Sequence, residues 1–431
     1  MSRVCNLRWR IVMAVKNVEL DKELLAEIQL KNELQVYGIN FPPDIFKDLE
    51  LGTKYKEQVN VLFSGDRHAH VAYNFPVCVI TPKGGYQIRV VWDKSSPYTL
   101  KYEDGRFFIE YQGAIVLDNL SFAKRAKYYD KKTSDGTLMK TVAVDYGYGH
   151  MFVSYSNECF LKDKGLDCLF CNINATKALY GDRDHVSWKT PKQIGETIAE
   201  GYKEGFNKMT VSGGFIPERR EVEYYIDVAE AIQEATGLED FNGTACVGAT
   251  KDFSVFENYK QAGFKTIASN IEIWNPKMFD VICPGKTEYC GGRENWIKAL
   301  LYEVDIFGKF NVRSTMVSGI EPKQDTLEGL QYLVEHGVVA LPSQWNPNCG
   351  SALEGHRTPN AEWHWDVFEK AVALYRNNGL TWQQFADATA GSDSVAHDLF
   401  RLYEGIPTSE IITGTNRILT AEEFIDEAIA V

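Results

Sequence analysis

Between residues 151 and 378 the chain alternates short β-branched or aromatic runs with stretches of helical period, and this alternation constrains the fold more than any other feature. The strand-like runs are MFVSYS (151–156), NKMTVSGG (207–214), FNGTACVGA (241–249), FKTIASNIEI (264–273), FNVRSTMVSG (310–319) and GVVALPSQW (337–345). Helical patterns lie around and between them at 192–204, 221–236, 252–262, 293–307, 325–335 and 362–378. Strands separated by helices pair in parallel, because the crossover brings each new strand back in the same direction. Six such units predict an α/β fold, a complete or partial (β/α) TIM-like barrel. No internal sequence repeat interrupts the reading. In such a barrel the chemistry sits at the C-terminal ends of the strands.

The first part of the chain follows a different rhythm. Residues 18–36 repeat Leu and Val at helical spacing, and 38–43 end that helix. HVAYNFPVCVI, YQIRVVW, TLKYED and RFFIEYQGAIVL then read as strands, with turns at 82–85 and 103–105. A polar connector over 128–150 leads into the first barrel strand. The expected division is an N-terminal β-rich α+β domain over 1–140, a barrel over 141–390, and a C-terminal cap or tail over 391–431.

Charge and cysteine usage narrow the function classes. The 431 residues carry a net charge of −13, which argues against a general nucleic-acid or anionic-membrane binder. No run approaches the ~18 apolar residues of a membrane span, and the N-terminus lacks the pattern of a signal peptide. Nine cysteines in a large chain do not form the profile of a secreted disulfide framework, so reduced thiols and a cytoplasmic location are expected.

Three of the nine stand together. Cys159, Cys168 and Cys171 lie in SNECFLKDKGLDCLFCNIN, directly after the first barrel strand. Three thiolates on one loop are soft ligands for iron–sulfur or zinc. Three ligands on a four-iron cluster leave one iron open to a substrate group. With His150, the same cysteines make a Cys3His zinc set.

A three-cysteine loop after strand one of a (β/α) barrel, with Phe170 before the third cysteine, resembles the radical S-adenosylmethionine (SAM) superfamily, in its biotin synthase-like branch. The departure is the first gap, eight residues where three are usual; the second gap, two, matches. The resemblance spans roughly 145–385. It implies a [4Fe-4S] cluster on Cys159, Cys168 and Cys171. It also implies that Gly213 and Gly214 hold the SAM amino group through their backbone, and that Asn270 and Glu272 contact the ribose. Arg293 is matched to the SAM carboxylate, and Gly319 with Ile320 to the adenine. Phe215 stands where relatives carry an acid. The positions matched to the second cluster of biotin synthase are Val211, Thr244 and Arg313, and none is cysteine, so sulfur insertion of that kind is not expected.

The sixth strand runs into LPSQWNPNCGSALEGHRTP. Gln344 and Asn346 are candidate substrate contacts, His356 and Arg357 candidate catalytic groups, and Cys349 a candidate reactive thiol. The resemblance implies an enzyme that cleaves SAM reductively to a 5′-deoxyadenosyl radical and takes hydrogen from a small-molecule, peptide or protein substrate. Rearrangement, fragmentation, carbon–carbon bond formation and methylation all follow such a step, and a transferase is among the classes implied. An electron donor such as flavodoxin or ferredoxin is implied; cobalamin is compatible but not indicated. Two other readings stand beside it: a zinc-dependent barrel enzyme, and a non-catalytic iron–sulfur protein.

Overall fold

The computed structural model describes residues 20–42, 45, 78–123, 126–156, 158–173, 188–348, 350–389, 394–407, 418–419 and 423. Helix α1 (Lys22–Tyr37) starts where Asp21 accepts from the Glu23 and Leu24 amides, and ends at Gly38, whose φ of 71° a side chain would resist. Strands β1 (Cys78–Ile80) and β2 (Gln87–Arg89) form an antiparallel hairpin. Strands β3 (Tyr98–Glu103), β4 (Arg106–Tyr111) and β5 (Ala114–Leu117) form an antiparallel sheet. The run 106–117 therefore folds as two strands, because Gln112 and Gly113 both take positive φ and reverse the chain. Residues 70–77 of the first expected strand lie outside the described residues. The short β6 (Phe122–Ala123) pairs with β14 (Ile418–Leu419).

The main sheet orders its strands as they occur in the chain: β7 (Val144–Asp145), β8 (His150–Ser154), β9 (Lys208–Ser212), β10 (Gly243–Cys246), β11 (Thr266–Ala268), β12 (Val312–Ser318) and β13 (Val338–Gln344). The last six are mutually parallel, and β7 runs antiparallel at the edge beside β8. All six expected barrel strands form. Side chains of β8 and of β13 line one cavity, so the sheet curls, but among the described strands its two edges do not pair. The barrel is partial.

The crossovers fall where the helical period placed them. They are α3 (Pro191–Lys203), α4 (Glu218–Thr236), α5 (Val255–Gln261), α8 (Gly292–Phe307) and α9 (Lys323–Glu335), with α10 (Ala361–Asn377) after β13. The four-residue α2 (Phe160–Asp163) precedes them in the cysteine loop. The start of α3 shows why these boundaries are sharp. Thr190 accepts from the Gln193 amide, Gln193 returns the bond, and Pro191 opens the first turn. Two further helices follow β11, α6 (Pro276–Ile282) and α7 (Pro284–Tyr289). The helical period did not mark them, because each has only two turns or fewer.

The N-terminal unit packs on the barrel. Its own core gathers Leu34, Ile88, Trp92, Leu100, Phe107 and Phe122, yet Ile28 on α1 belongs to the barrel core. Helix α1 also binds the C-terminal helices. Asn32 donates to Ala361 O at 2.8 Å, and Lys31 meets Asp398 on α12 (Val395–Glu404) at 2.7 Å. Between α10 and α12 lies α11 (Trp382–Ala388). Among the described residues no helix is long and apolar enough to cross a membrane.

Candidate active site

The cysteine loop leaves β8 at the C-terminal edge of the sheet. Cys159 is the N-cap of α2, and Lys162 closes the loop through an ion pair with Asp167 at 2.8 Å. Backbone bonds then pin the loop from two directions. Leu169 N donates to Ile282 O at 2.9 Å and Gly285 N to Leu166 O at 3.0 Å, which clamps it to the α6–α7 corner. Leu353 N donates to Leu169 O from the segment after β13. Only glycine fits at 285, since a Cβ there would stand 2.5 Å from Leu166 O.

Cys159, Cys168 and Cys171 are all partly exposed and reduced. Cys171 senses both other thiols electrostatically, and burial pushes it up to about 12. A hydrogen bond with Cys283 lowers Cys168, and the Lys286 charge lowers it further. Among the described residues no three His, Cys, Asp or Glu side chains already stand at metal-ligating spacing. The donor set nonetheless suits an iron–sulfur cluster: three thiols in one electrostatic neighbourhood, beside a buried cation, on a loop held at both ends.

His150 does not join them. It begins β8, level with Lys208, whereas the cysteines follow the strand's other end. Five strand residues separate the two ends by about 13–17 Å. Its Nε2 bonds Thr210 Oγ1 at 2.8 Å, and burial drives its pKa well below the usual range. The Cys3His zinc set is therefore not assembled, and His150 is a satisfied core histidine.

Inside the curl lies a cavity of about 340 Å³. Alternation along the strands supplies its walls: Phe152, Ser212 and Cys246 from β8 to β10, Arg313, Thr315 and Val317 from β12, and Leu341 and Ser343 from β13. The cavity brings together Asn270, Glu272, Gln344 and Asn346, along with Phe170 from the cysteine loop. The open side of the barrel is covered by Gln35 of α1 and by Arg89 and Val91 of the N-terminal unit.

Glu272 holds a left-handed backbone at φ 69°, strained for a non-glycine residue. Bonds to β12 on both sides maintain it: its amide donates to Thr315 O at 3.0 Å, and Val317 N donates to its carbonyl at 2.8 Å. Asn270 Oδ1 accepts from Thr315 N at 3.0 Å. Lys286 secures both residues, donating to Asn270 O at 2.7 Å and pairing with Glu272 at 3.3 Å, under the Trp296 ring. Burial opposes the Lys286 charge, but Glu272 and the thiols of Cys168, Cys283 and Cys290 raise its pKa above the usual value. Sequence reasoning missed Lys286. Its signal was slight: one lysine in a helix too short for a period.

The other expected residues are not among those lining the cavity. Arg293 stacks on Trp274, with 4.2 Å from guanidinium to ring, donates to Trp274 O and pairs with Glu294. It does not line the cavity. At Gly213 a Cβ would enter the Tyr155 ring, and at Gly214 it would strike Glu158 O. Glycine is needed there for the cysteine loop to pack on the end of β9. The Gly214 carbonyl accepts from Tyr155 OH at 2.7 Å. Gly319 has φ 115° and packs against Pro359, beside the half-buried Ile320. His356 and Arg357 are exposed and line a neighbouring groove of about 520 Å³, which shares Val91, Asn346 and Asn348 with the lumen. Cys349 lies outside the described residues.

No family model matches the chain. It is similar to a curated protein, bacteriochlorophyllide c C-7(1)-hydroxylase of Chlorobaculum limnaeum, at 26% identity over 258 residues, or 57% of this chain and 64% of that protein. The chain thus spans less than two thirds of that relative's length. Among solved structures it is similar to methylornithine synthase (PylB), at 15% identity, TM-score 0.42, covering 58% of this chain and 68% of that one. A second is coproporphyrinogen III oxidase (HemN) of Escherichia coli, described as a radical SAM enzyme, at 13% identity, TM-score 0.35, covering 53% and 52%.

Proposed function

We infer that this chain, a member of the radical SAM superfamily, is an enzyme whose Cys159, Cys168 and Cys171 hold a [4Fe-4S] cluster at the mouth of a substrate lumen. The carrying observation is the placement of that three-thiol loop, pinned at the C-terminal edge of a parallel sheet and contributing Phe170 to the lumen cavity. Held by Cys159, Cys168 and Cys171 with SAM bound, a cluster there would supply the one-electron reduction of SAM that drives hydrogen abstraction from an unreactive C–H bond.

The chain's own residues then bind, orient and shield. Lys286 sets a positive charge beside Cys168, which favours the thiolate a metal needs. Glu272, held by its strained backbone and by Lys286, presents a carboxylate to accept from ribose hydroxyls, and Asn270 stands beside it. Gln344 and Asn346 reach the substrate side of the same space. Gln35 and Val91 close the open flank, which keeps water and stray C–H groups from a reactive carbon radical. The groove carrying His356 and Arg357 serves as the entrance. A reducing partner such as flavodoxin or ferredoxin supplies the electron. The outcome after hydrogen abstraction is a rearrangement, fragmentation, carbon–carbon bond formation or methylation, or a hydroxylation of the kind for which the curated relative is named.

The test is anaerobic reconstitution with iron and sulfide, reduction, and SAM addition. The expected result is a brown protein with about four irons that releases 5′-deoxyadenosine. A loaded, reduced protein that releases none with candidate substrates present overturns the reading.

A further inference from the structure

Arg313 is the least satisfied charge in the lumen. It projects from β12, is only 5% exposed, and its Nε has no hydrogen-bond partner; no ion pair to it is found among the described residues. A buried guanidinium without a counter-charge costs several kcal/mol of desolvation, so a fold retains one where a ligand completes it. The lumen offers it little internal relief. The described carboxylate lining the cavity, Glu272, is already paired with Lys286 at 3.3 Å. A second guanidinium, Arg89 on β2, lines the same space from the N-terminal unit.

The neutral lining is equally unfinished. Both side-chain polar atoms of Gln344 lack partners, as do Trp345 Nε1 and Ser394 Oγ, and all three residues line the cavity. Buried polar atoms are nearly always paired. Gln344 is level with Ser318 at the upper edge, so its orphans face the upper part of a ligand, whereas at the floor the unpartnered Arg313 Nε calls for an anionic group. A guanidinium fork matches carboxylate or phosphate in two parallel bonds.

Depth separates this site from the cluster. Arg313 is level with Ala268 and Val339 in the sheet, five residues before the end of β12 at Ser318. At about 3.3 Å per residue its backbone lies roughly 16 Å below the edge where the cysteine loop sits. Glu272 bridges to Met316, three residues nearer that edge.

We propose that the floor of the lumen is an oxyanion subsite for the substrate, in which Arg313 from the barrel wall and Arg89 from the N-terminal unit clasp the carboxylate or phosphate of a small molecule. The N-terminal unit is then a specificity element rather than a brace alone. The inference rests on the lumen being the substrate chamber.

The test uses reconstituted, anaerobic protein and ligand-observed NMR titration with glutarate, phenylphosphate and the neutral isostere glutaramide. Glutarate or phenylphosphate binds at least tenfold more tightly than glutaramide, and whichever of the two is tighter names the oxyanion. Arg313→Gln weakens that binding at least tenfold, Arg313→Lys less, and Arg89→Gln at least threefold. Equal binding of glutarate and glutaramide overturns the proposal. So does unchanged binding in R313Q with native circular dichroism. If R313Q fails to fold, unchanged binding in R89Q overturns it instead. Competition between glutarate and SAM, with R313Q weakening SAM, also overturns it, because the subsite would then be the cofactor's. A wild type that binds glutarate through Arg313 but releases no 5′-deoxyadenosine sinks the radical reading alone. One that releases it but binds no oxyanion sinks this inference alone.

Discussion

At the seam between α1 and α12, Lys31 meets Asp398 at 2.7 Å with both side chains fully buried, whereas in the lumen the buried Arg313 has no such counter-ion among the described residues. The seam pairs its opposite charges, although Arg401 Nη1 and His397 Nδ1 keep no hydrogen-bond partner. Asp398 also accepts from Tyr148 OH at 3.1 Å, while Arg401 donates to Gly84 O at 2.7 Å and lies over the Tyr86 ring. Against the burial that would raise it, Lys31, His397 and Arg401 hold the Asp398 carboxyl down to about 2. The same chain thus spends one set of buried charges on joining its ends and leaves another open. A buried charge paired across a seam is a fastening; one without a counter-ion facing a cavity is a request for a ligand.

The largest effect that sharpens this contrast is at the mouth of the lumen. Cys168→Ala should abolish both the brown colour and 5′-deoxyadenosine release while the thermal midpoint of the metal-free protein stays nearly unchanged. Retained colour and cleavage would sink the ligand assignment. At the seam the expectation is reversed. Lys31→Met removes the ammonium that meets Asp398 and leaves that buried carboxylate to Tyr148, His397 and Arg401, so unfolding free energy should fall by about 3 kcal/mol. Replacing both partners with Met and Leu should recover most of it in denaturant titrations. A single variant that melts like the wild type would show the seam to be no fastening.

A third buried charge tests the rule away from both regions. Glu303 on α8 accepts from Ser269 Oγ through one oxygen only, and burial pushes its pKa up to about 8. The folded carboxyl therefore keeps its proton where the unfolded one, near 4.5, has lost it. Folding binds a proton in that window, so stability should fall as pH rises from 4.5 to 8. Glu303→Gln should flatten that slope; an unchanged slope in chemical denaturation at several pH values would refute it. In the lumen, Glu272→Gln should weaken SAM about tenfold, roughly 1.4 kcal/mol, with iron content intact. Equilibrium dialysis with labelled SAM measures it. The smallest change is expected outside both regions. Lys131→Ala removes an exposed pair with Glu200 and should cost less than about 1 kcal/mol.

Much of this was legible along the chain. The six parallel strands announced themselves because buried strands need continuous apolar or β-branched runs, and their helices need a 3.6-residue stripe. Cys159, Cys168, Cys171, Asn270, Glu272, Gln344 and Asn346 could be placed at strand ends by counting, and the last four share one cavity. Counting did not give side-chain direction. Arg293 opens α8 as expected, yet the Trp274 ring draws its guanidinium away from the lumen. His150 is close to Cys159 in sequence, but a whole strand intervenes. Gly213 and Gly214 are required by the Tyr155 ring and the cysteine loop, which sequence alone does not bring there.

What the sequence by itself determined is periodic or local: the order of strands and helices, the caps that bound them, and three thiols on one loop. Such features depend on residues within a few positions of one another. Which charges are buried together was decided only by the tertiary structure. Arg89 meets the cavity that Arg313 lines although 224 positions separate them, as 367 separate Lys31 from Asp398. Desolvation and Coulomb attraction act through space, so whether a buried charge is a fastening or a binding site can be read only once the chain has closed around it.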